Sequence, residues 1–363
     1  MGMIKQTWWQ LGHWLSNEIK GRRHRKIHFI TDSANWSFKW DAHYITTGLS
    51  ERLNAEVPTL TTPWHLRHQV ILFGNRYPWF FGPRQRLHRS NTLFLTWFHG
   101  DPSDPGNNMQ AMFNQLPHAF DPMEKVVVTC TISRNILRNC GVADEKLVTI
   151  PLGVDLNHFR PATPEEKKQI RAKLNIPDSV FCIGSFQKDG NGWDDGSTPK
   201  TVKGPDIFLD TLAKVSIPKD QLMVLLTGPA RGYIKNGLDR LGIPWRHHFL
   251  DDYRDIVPCY QALDAYLISS RAEGGPKALP ESWACGIPIV STRVGMPADY
   301  IQTGINGFLT ELEDSDTLAK SLDALYFQPD LVQKFRAEGL IAVLPLDWNT
   351  IAEHYYQMIK NYL

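Results

Sequence analysis

Short apolar runs alternate with helix-patterned segments along most of the chain, and that alternation leaves few folds open. In the first half the runs fall at 26–31 (KIHFIT), 69–74, 93–98, 125–129 and 147–150. In the second half they fall at 180–186 (VFCIGSF), 222–227, 247–250, 265–268 and 289–291. Continuous apolar runs of strand length are the mark of strands covered on both faces. Helical signals lie between them: a segment ending near Leu53, one ending at Gly141, 164–174, one ending at Leu241, 256–263, 316–326, 330–339 and 349–363. Strand–helix alternation predicts an α/β protein with two parallel, doubly wound sheets. A length of 363 residues is enough for two such domains.

Composition removes several function classes. A net charge of +1 gives no case for binding nucleic acid. No apolar run reaches about 18 residues, so no transmembrane helix is expected, and the first residues lack the apolar core of a signal peptide. Cys130, Cys140, Cys182, Cys259 and Cys285 have neither zinc nor redox-motif spacing. They read as small core residues in a reducing cytoplasm.

The segment 3–20 is helical in period, with Ile4, Trp8, Leu11, Leu15 and Ile19 in one stripe and Arg22, Arg23, Arg25 and Lys26 after it. Two readings stay open. The helix lies in an anionic membrane interface, as a peripheral attachment on the inner face, or it packs on its own domain.

Chemistry concentrates in 271–288. A loop, Arg271-Ala272-Glu273-Gly274-Gly275-Pro276-Lys277, precedes a helix opening near Ala278, and Gly286-Ile287-Pro288 stops that helix. Consecutive glycines let backbone approach a ligand closely. The amides of Gly274, Gly275, Lys277 and Ala278 stand where a helix start favours anions. Glu273 and Glu281 are suited to sugar hydroxyls. Together these features point to a phosphate ester of a polyol. The plainer alternative is that both carboxylates only favour the positive end of the helix.

The span Glu273–Glu281, followed by Ser282-Trp283-Ala284-Cys285-Gly286-Ile287-Pro288-Ile289-Val290-Ser291, resembles the E-x7-E signature of family-4 retaining glycosyltransferases. The turn Val294-Gly295-Met296-Pro297 and the stretch Gly304-Ile305-Asn306-Gly307-Phe308 are similar to the family's next landmarks. Residues 151–161 (PLGVDLNHFRP) resemble its interdomain segment. The likeness covers most of the C-terminal half plus 141–161. It implies the GT-B fold, with two Rossmann-like doubly wound domains facing a cleft and a C-terminal helix crossing back to the first domain. The domains implied are 1–160 (with 1–25 as the N-terminal helix), 161–346, and 347–363 as the returning helix.

The same resemblance implies a nucleotide-diphosphate sugar as donor and no separate cofactor. It assigns Glu273 to the donor sugar, Glu281 to the ribose, Lys203 of Lys203-Gly204 to the diphosphate, and Gly153 to close passage beside the donor. His99, after the strand at 93–98, resembles the family's histidine facing the donor sugar, against the plainer alternative of a satisfied core or surface histidine. The chain departs from the family where an arginine is expected: Ser185 stands there, and a glycine-rich insertion, 187–202, follows. Lys188 or Lys200 is a candidate for the missing charge, against a solvated loop with incidental lysines. The first loop lacks the family's glycines. Asp32, Asn35 and Asp101 are therefore acceptor-side candidates only by their place after strands.

No D-x-D motif ends a strand. Asp194-Asp195 and Asp251-Asp252 read as turn residues, and no metal is expected. The function expected is transfer of a sugar, with retention, to a glycan or lipid-linked acceptor. A sugar-nucleotide epimerase of the same fold, or a non-catalytic nucleotide-binding module at a membrane, are the alternatives.

Overall fold

The computed structural model describes residues 25–31, 37–98, 100, 109–192 and 194–363. The chain forms two compact units. One reaches to Pro151 and resumes at Trp348–Leu363, and the other is Leu152–Asp347.

The first unit holds a six-stranded sheet in the order β2-β1-β3-β4-β5-β6, with every pairing parallel. Its strands are β1 (Ile27–Ile30), β2 (Thr59–Leu60), β3 (Val70–Phe73), β4 (Thr92–Trp97), β5 (Met123–Val128) and β6 (Leu147–Thr149). Core lies on both faces, which is why β1, β3 and β4 read as unbroken apolar runs. One face carries Ile71, Phe73, Leu95, Trp97, Phe120 and Leu137. On the other, Ile27, Phe29, Val70 and Phe94 pack with Ile45 and Leu49 and with Trp348, Ile351 and Tyr355.

That second face depends on the returning helix Trp348–Ile359 lying close to the helix Ser37–Leu53. Gly48 permits the approach, because a Cβ there would lie 2.4 Å from the Ala352 Cβ. Tyr44 stacks on Trp348 with ring centroids 5.3 Å apart, and Arg52 Nε donates to Glu353 at 2.7 Å.

The second unit holds a six-stranded sheet in the order β12-β11-β10-β7-β8-β9, also parallel throughout. Its strands are β7 (Phe181–Ser185), β8 (Leu222–Thr227), β9 (Trp245–His248), β10 (Ala265–Ile268), β11 (Ile289–Thr292) and β12 (Phe308–Thr310). Residues 152–154, at the expected passage between domains, pack within this unit. Leu152 N donates to Met296 Sδ at 3.3 Å, and Val154 N donates to the Leu346 carbonyl at 2.9 Å.

All five cysteines are free, and all but Cys140 are buried. Burial pushes the Cys182 and Cys259 thiols up to about 12. Among the described residues no helix is long and apolar enough to cross a membrane.

Candidate functional site at the carboxyl ends of β7 and β10

In the second sheet the chain runs outward from β7 to β8 and β9, then returns to lay β10 against the free side of β7. Strand order reverses there, and in parallel sheets the crevice beyond the carboxyl ends at such a point receives ligands. The residues singled out in 271–281 begin just after β10, so the topology brings them to this crevice.

Lys203 is delivered by the glycine that follows it. Gly204 has φ +59°, and a Cβ there would sit 1.9 Å from the Ser269 carbonyl oxygen. Only glycine fits that left-handed, crowded position. Ser269 Oγ donates to the Gly204 carbonyl at 2.9 Å, tying the turn to the end of β10. From there Lys203 Nζ reaches Glu273 Oε1 at 2.6 Å.

A small ring of polar contacts closes around this pair. Ser270 Oγ lies 2.9 Å from Glu273 Oε1, and Gln187 Nε2 donates to the Lys203 carbonyl at 3.0 Å. The loop's first residue is pinned as well. Arg271 forks onto Asp206 at 2.8 and 2.6 Å and also reaches Glu313 at 2.6 Å. These two carboxylates push its pKa further up.

Gly275 and Gly295 serve packing within the protein, besides any approach to a ligand. Gly295, at φ +43°, brings its Cα so close that a Cβ would lie 2.3 Å from the Gly274 carbonyl oxygen. A Cβ on Gly275 would lie 2.8 Å from Met296 Sδ and 3.0 Å from Leu152. Leu152 leads directly into Gly153, which is buried, so that segment and the loop belong to one packed assembly.

The helix opens at Ala278, with Lys277 in front of it and Glu281 in its first turn. Glu281 is only 2% exposed. Its Oε2 accepts from the Tyr260 hydroxyl at 2.6 Å, and its Oε1 accepts from the Tyr253 hydroxyl. Lys277 Nζ stands over the Tyr253 ring, 5.2 Å from its centroid. The sequence gives no sign of either tyrosine, because they come from a separate turn and helix before β10.

Arg231 also lies outside the motifs of the sequence. Its guanidinium meets the end of β7, donating to the Ser185 carbonyl at 2.6 Å and to Ser185 Oγ at 2.9 Å. It also donates to the Thr227 carbonyl at 2.7 Å and pairs with Asp189 at 3.0 Å. Both side chains of the pair are at most 1% exposed. Burial raises the Asp189 pKa, and Arg231 opposes that rise. The cation lying against Ser185 is therefore Arg231, from the loop after β8. A signal existed: Arg231 follows the Thr227-Gly228 end of an apolar strand.

Part of the insertion is packed, while Asn191, Asp194, Asp195, Ser197 and Thr198 are exposed. Asp189 and Gly190 are buried, and Gly190 bridges to Pro199. Cβ atoms at Gly190 and Gly196 would each lie 2.3 Å from the Ala230 carbonyl oxygen. Gly190 and Gly196 thus answer to close backbone packing, whereas nothing lies within 4 Å of a Cβ at Gly192. Lys188 is half-buried at the start of the insertion, where loss of water lowers its pKa. Asp195 accepts from Ser197 N at 3.1 Å and Asp252 from Arg254 N at 2.9 Å, both within turns.

Asp32, Asn35, His99, Asp101 and the N-terminal helix lie outside the described residues. β1 and β4, which lead toward those four side chains, end at Ile30 and Trp97.

Residues 198–340 match the sequence model of the family described as glycosyl transferases group 1. The chain is 28% identical over 231 residues to D-inositol 3-phosphate glycosyltransferase 1 of Catenulispora acidiphila, covering 58% of this chain and 50% of that protein. It is 27% identical over 191 residues to a GDP-mannose-dependent monoacylated alpha-(1-6)-phosphatidylinositol monomannoside mannosyltransferase of Corynebacterium glutamicum, covering 50% and 47%. The chain spans about half the length of these curated relatives. Among solved structures, HepE of Anabaena in complex with UDP and glucose superposes with a TM-score of 0.75 at 19% identity, over 93% of this chain and all of that one. The fold is thus GT-B, with two Rossmann-like units.

Proposed function

We propose that this protein is a retaining glycosyltransferase that moves a sugar from a nucleotide-diphosphate sugar to a glycan or lipid-linked acceptor. The observation that carries this reading is the Lys203–Glu273 contact of 2.6 Å at the strand-order reversal, inside the stretch that matches group 1 glycosyl transferases. A relative that acts on a phosphatidylinositol mannoside and a structural neighbour that holds UDP and glucose support the donor and acceptor classes.

In this reading, departure of the nucleotide leaves positive charge at the anomeric carbon and negative charge on the diphosphate. Catalysis requires stabilising both where they develop. Lys203, with the amides of Gly274, Gly275, Lys277 and Ala278, meets the diphosphate, so that role does not call for a metal. Glu273 contacts the donor sugar, Glu281 the ribose, and Gly153 lets its segment pass beside the donor. His99 acts on the donor sugar, and Asp32, Asn35 and Asp101 are candidates for the acceptor. Retention places the acceptor hydroxyl on the face from which the nucleotide leaves. A lipid-linked acceptor fits attachment of the basic N-terminal segment to an anionic membrane surface.

The test is a donor screen by mass spectrometry, with a panel of UDP- and GDP-sugars and the released nucleotide as the signal. Turnover that survives a chelator and yields a product of retained configuration supports the reading. Tight nucleotide binding with no donor consumed, across the panel and with candidate acceptors present, would favour a non-catalytic module.

A further inference from the structure

Lys203 ends a three-residue turn, Thr201–Lys203, that is gripped from two sides. On one side stands the loop after β10. The Thr201 carbonyl accepts from Arg271 Nη1 at 2.8 Å, the Val202 carbonyl from Arg271 N at 2.9 Å, and the Gly204 carbonyl from Ser269 Oγ at 2.9 Å. On the other side stands the base of the insertion. The Asp189 carbonyl accepts from Lys200 N at 2.7 Å, and the Lys200 carbonyl accepts from Lys203 N at 2.8 Å. Arg231 anchors that base through Asp189. Its side chain is 0% exposed and gives all its hydrogen bonds to protein groups, so it stands against Ser185 but is closed to a ligand. The carbonyl of Lys203 itself accepts from neither side's backbone but from Gln187 Nε2, at 3.0 Å.

We propose that Gln187 is a positioning residue for the reaction, fixing the peptide from which Lys203 presents its ammonium to the diphosphate. The inference rests on the reading of Lys203 as the diphosphate contact. A carbonyl can only accept, so the Gln187 amide is turned with its nitrogen toward Lys203. Its oxygen then faces Ser270 Oγ at 3.3 Å, the hydroxyl that lies 2.9 Å from Glu273 Oε1. One amide therefore touches the backbone of Lys203 and the neighbour of Glu273, the two partners of the 2.6 Å ion pair. The peptide that Gln187 holds joins Lys203 to Gly204, and glycine is the residue least able to fix such a plane by itself. Gln187 has a firm base from which to hold it. Phe186, just before it, donates its amide to the Tyr266 hydroxyl at 2.8 Å, and Ser185 is bound by Arg231. Ser185 brings no cation of its own and Arg231 is closed in, so the placement of the Lys203 ammonium carries more of the work at the diphosphate.

The experiment is titration calorimetry of UDP and GDP with the full chain, as wild type, Gln187→Met, Lys203→Ala and the double variant. Methionine keeps the length of the side chain and drops both amide contacts. Thermal unfolding checks each fold, and Gln187→Ala stands in should Gln187→Met fail to fold. Gln187→Met should weaken UDP or GDP binding roughly three- to tenfold, the loss of one ordinary hydrogen bond, and leave affinity for the parent nucleoside as it was. In the Lys203→Ala background the carbonyl remains and the ammonium is gone. There the same change should cost no further affinity, while its effect on unfolding persists. A purely structural role would lower affinity equally in both backgrounds. That result, or unchanged affinity in Gln187→Met, overturns the positioning role and leaves the Lys203 contact standing. If Lys203→Ala itself leaves nucleotide binding unchanged, or neither nucleotide binds the wild type, the reading of Lys203 fails and the positioning role goes with it.

Discussion

The Lys203 ammonium lies 2.6 Å from Oε1 of Glu273, a carboxylate only 8% exposed. Lys203 thus compensates a charge that could not stay buried alone. In the proposed reaction it also faces the diphosphate. Lys203→Ala should weaken UDP or GDP binding by roughly ten- to a hundredfold, the loss expected for one hydrogen bond to a charged group. Affinity for the parent nucleoside should hold. Calorimetry with both ligands makes the comparison, and equal losses would place Lys203 away from the phosphates.

Arg231 and Asp189 are a fully buried pair. Removing the cation alone strands a carboxylate that now accepts from Arg231 Nε at 3.0 Å, and it also removes the three hydrogen bonds that Arg231 donates to Ser185 and Thr227. Arg231→Met should cost about 3–5 kcal/mol in the stability of the second unit. Arg231→Met with Asp189→Leu should recover much of that cost, and a double-mutant cycle in denaturant measures the coupling. Simple additivity would show that the pair does not hold the insertion down.

Gly204→Ala tests how Lys203 is placed. The new methyl meets the Ser269 carbonyl oxygen at 1.9 Å, and the left-handed φ of +59° adds about 1–2 kcal/mol of strain. Backbone must shift, and the Lys203 side chain shifts with it. Nucleotide binding should fall along with thermal stability, whereas Gly192→Ala, where nothing lies within 4 Å, should leave nucleotide binding intact despite strain at φ +73°.

Acid should erode the start of the helix Pro164–Lys173. Glu166 closes a capping box with Thr163 and pairs with Arg160 at 2.7 Å. The Arg160 hydrogen bond, with that from the Thr163 amide, holds the Glu166 pKa down to about 2, against an ordinary 4.5. A depressed carboxylate stabilises the folded state fully above its unfolded pKa and loses that contribution as pH falls through the folded one. The stability difference between wild type and Glu166→Gln should therefore be constant near neutrality and shrink between pH 4.5 and 2. Thermal unfolding across that window checks it, and a difference that does not change with pH would assign the effect to packing.

What the sequence discloses follows from what buries it. β1, β3, β4, β7, β8, β10 and β11 are covered on both faces, and apolar runs mark each of them. β9 is a half-buried edge strand reading Trp245-Arg246-His247-His248, so its expected place at 247–250 is shifted along the chain. The two-residue β2 and the three-residue β12 are too short to carry a pattern. Lys203 and Glu273 are legible because each sits in a local motif. Tyr253 and Tyr260 are not, and Arg231 is marked only by its place after a strand, since the contacts of these three lie 28, 21 and 42 positions away. Within the insertion, Gly190 and Gly196 fit close backbone packing and Gly192 does not, a difference that composition cannot show.

The helix 348–359 fills one face of a sheet whose strands all lie before residue 150. During synthesis, then, the order of completion is reversed. Residues 152–347 form an uninterrupted unit that can close once it has emerged, whereas Ile27, Phe29, Val70 and Phe94 lack part of their cover until the helix 348–359 follows. The half of the protein made first is finished last, and over that interval its uncovered face is the surface on which a holding chaperone would act.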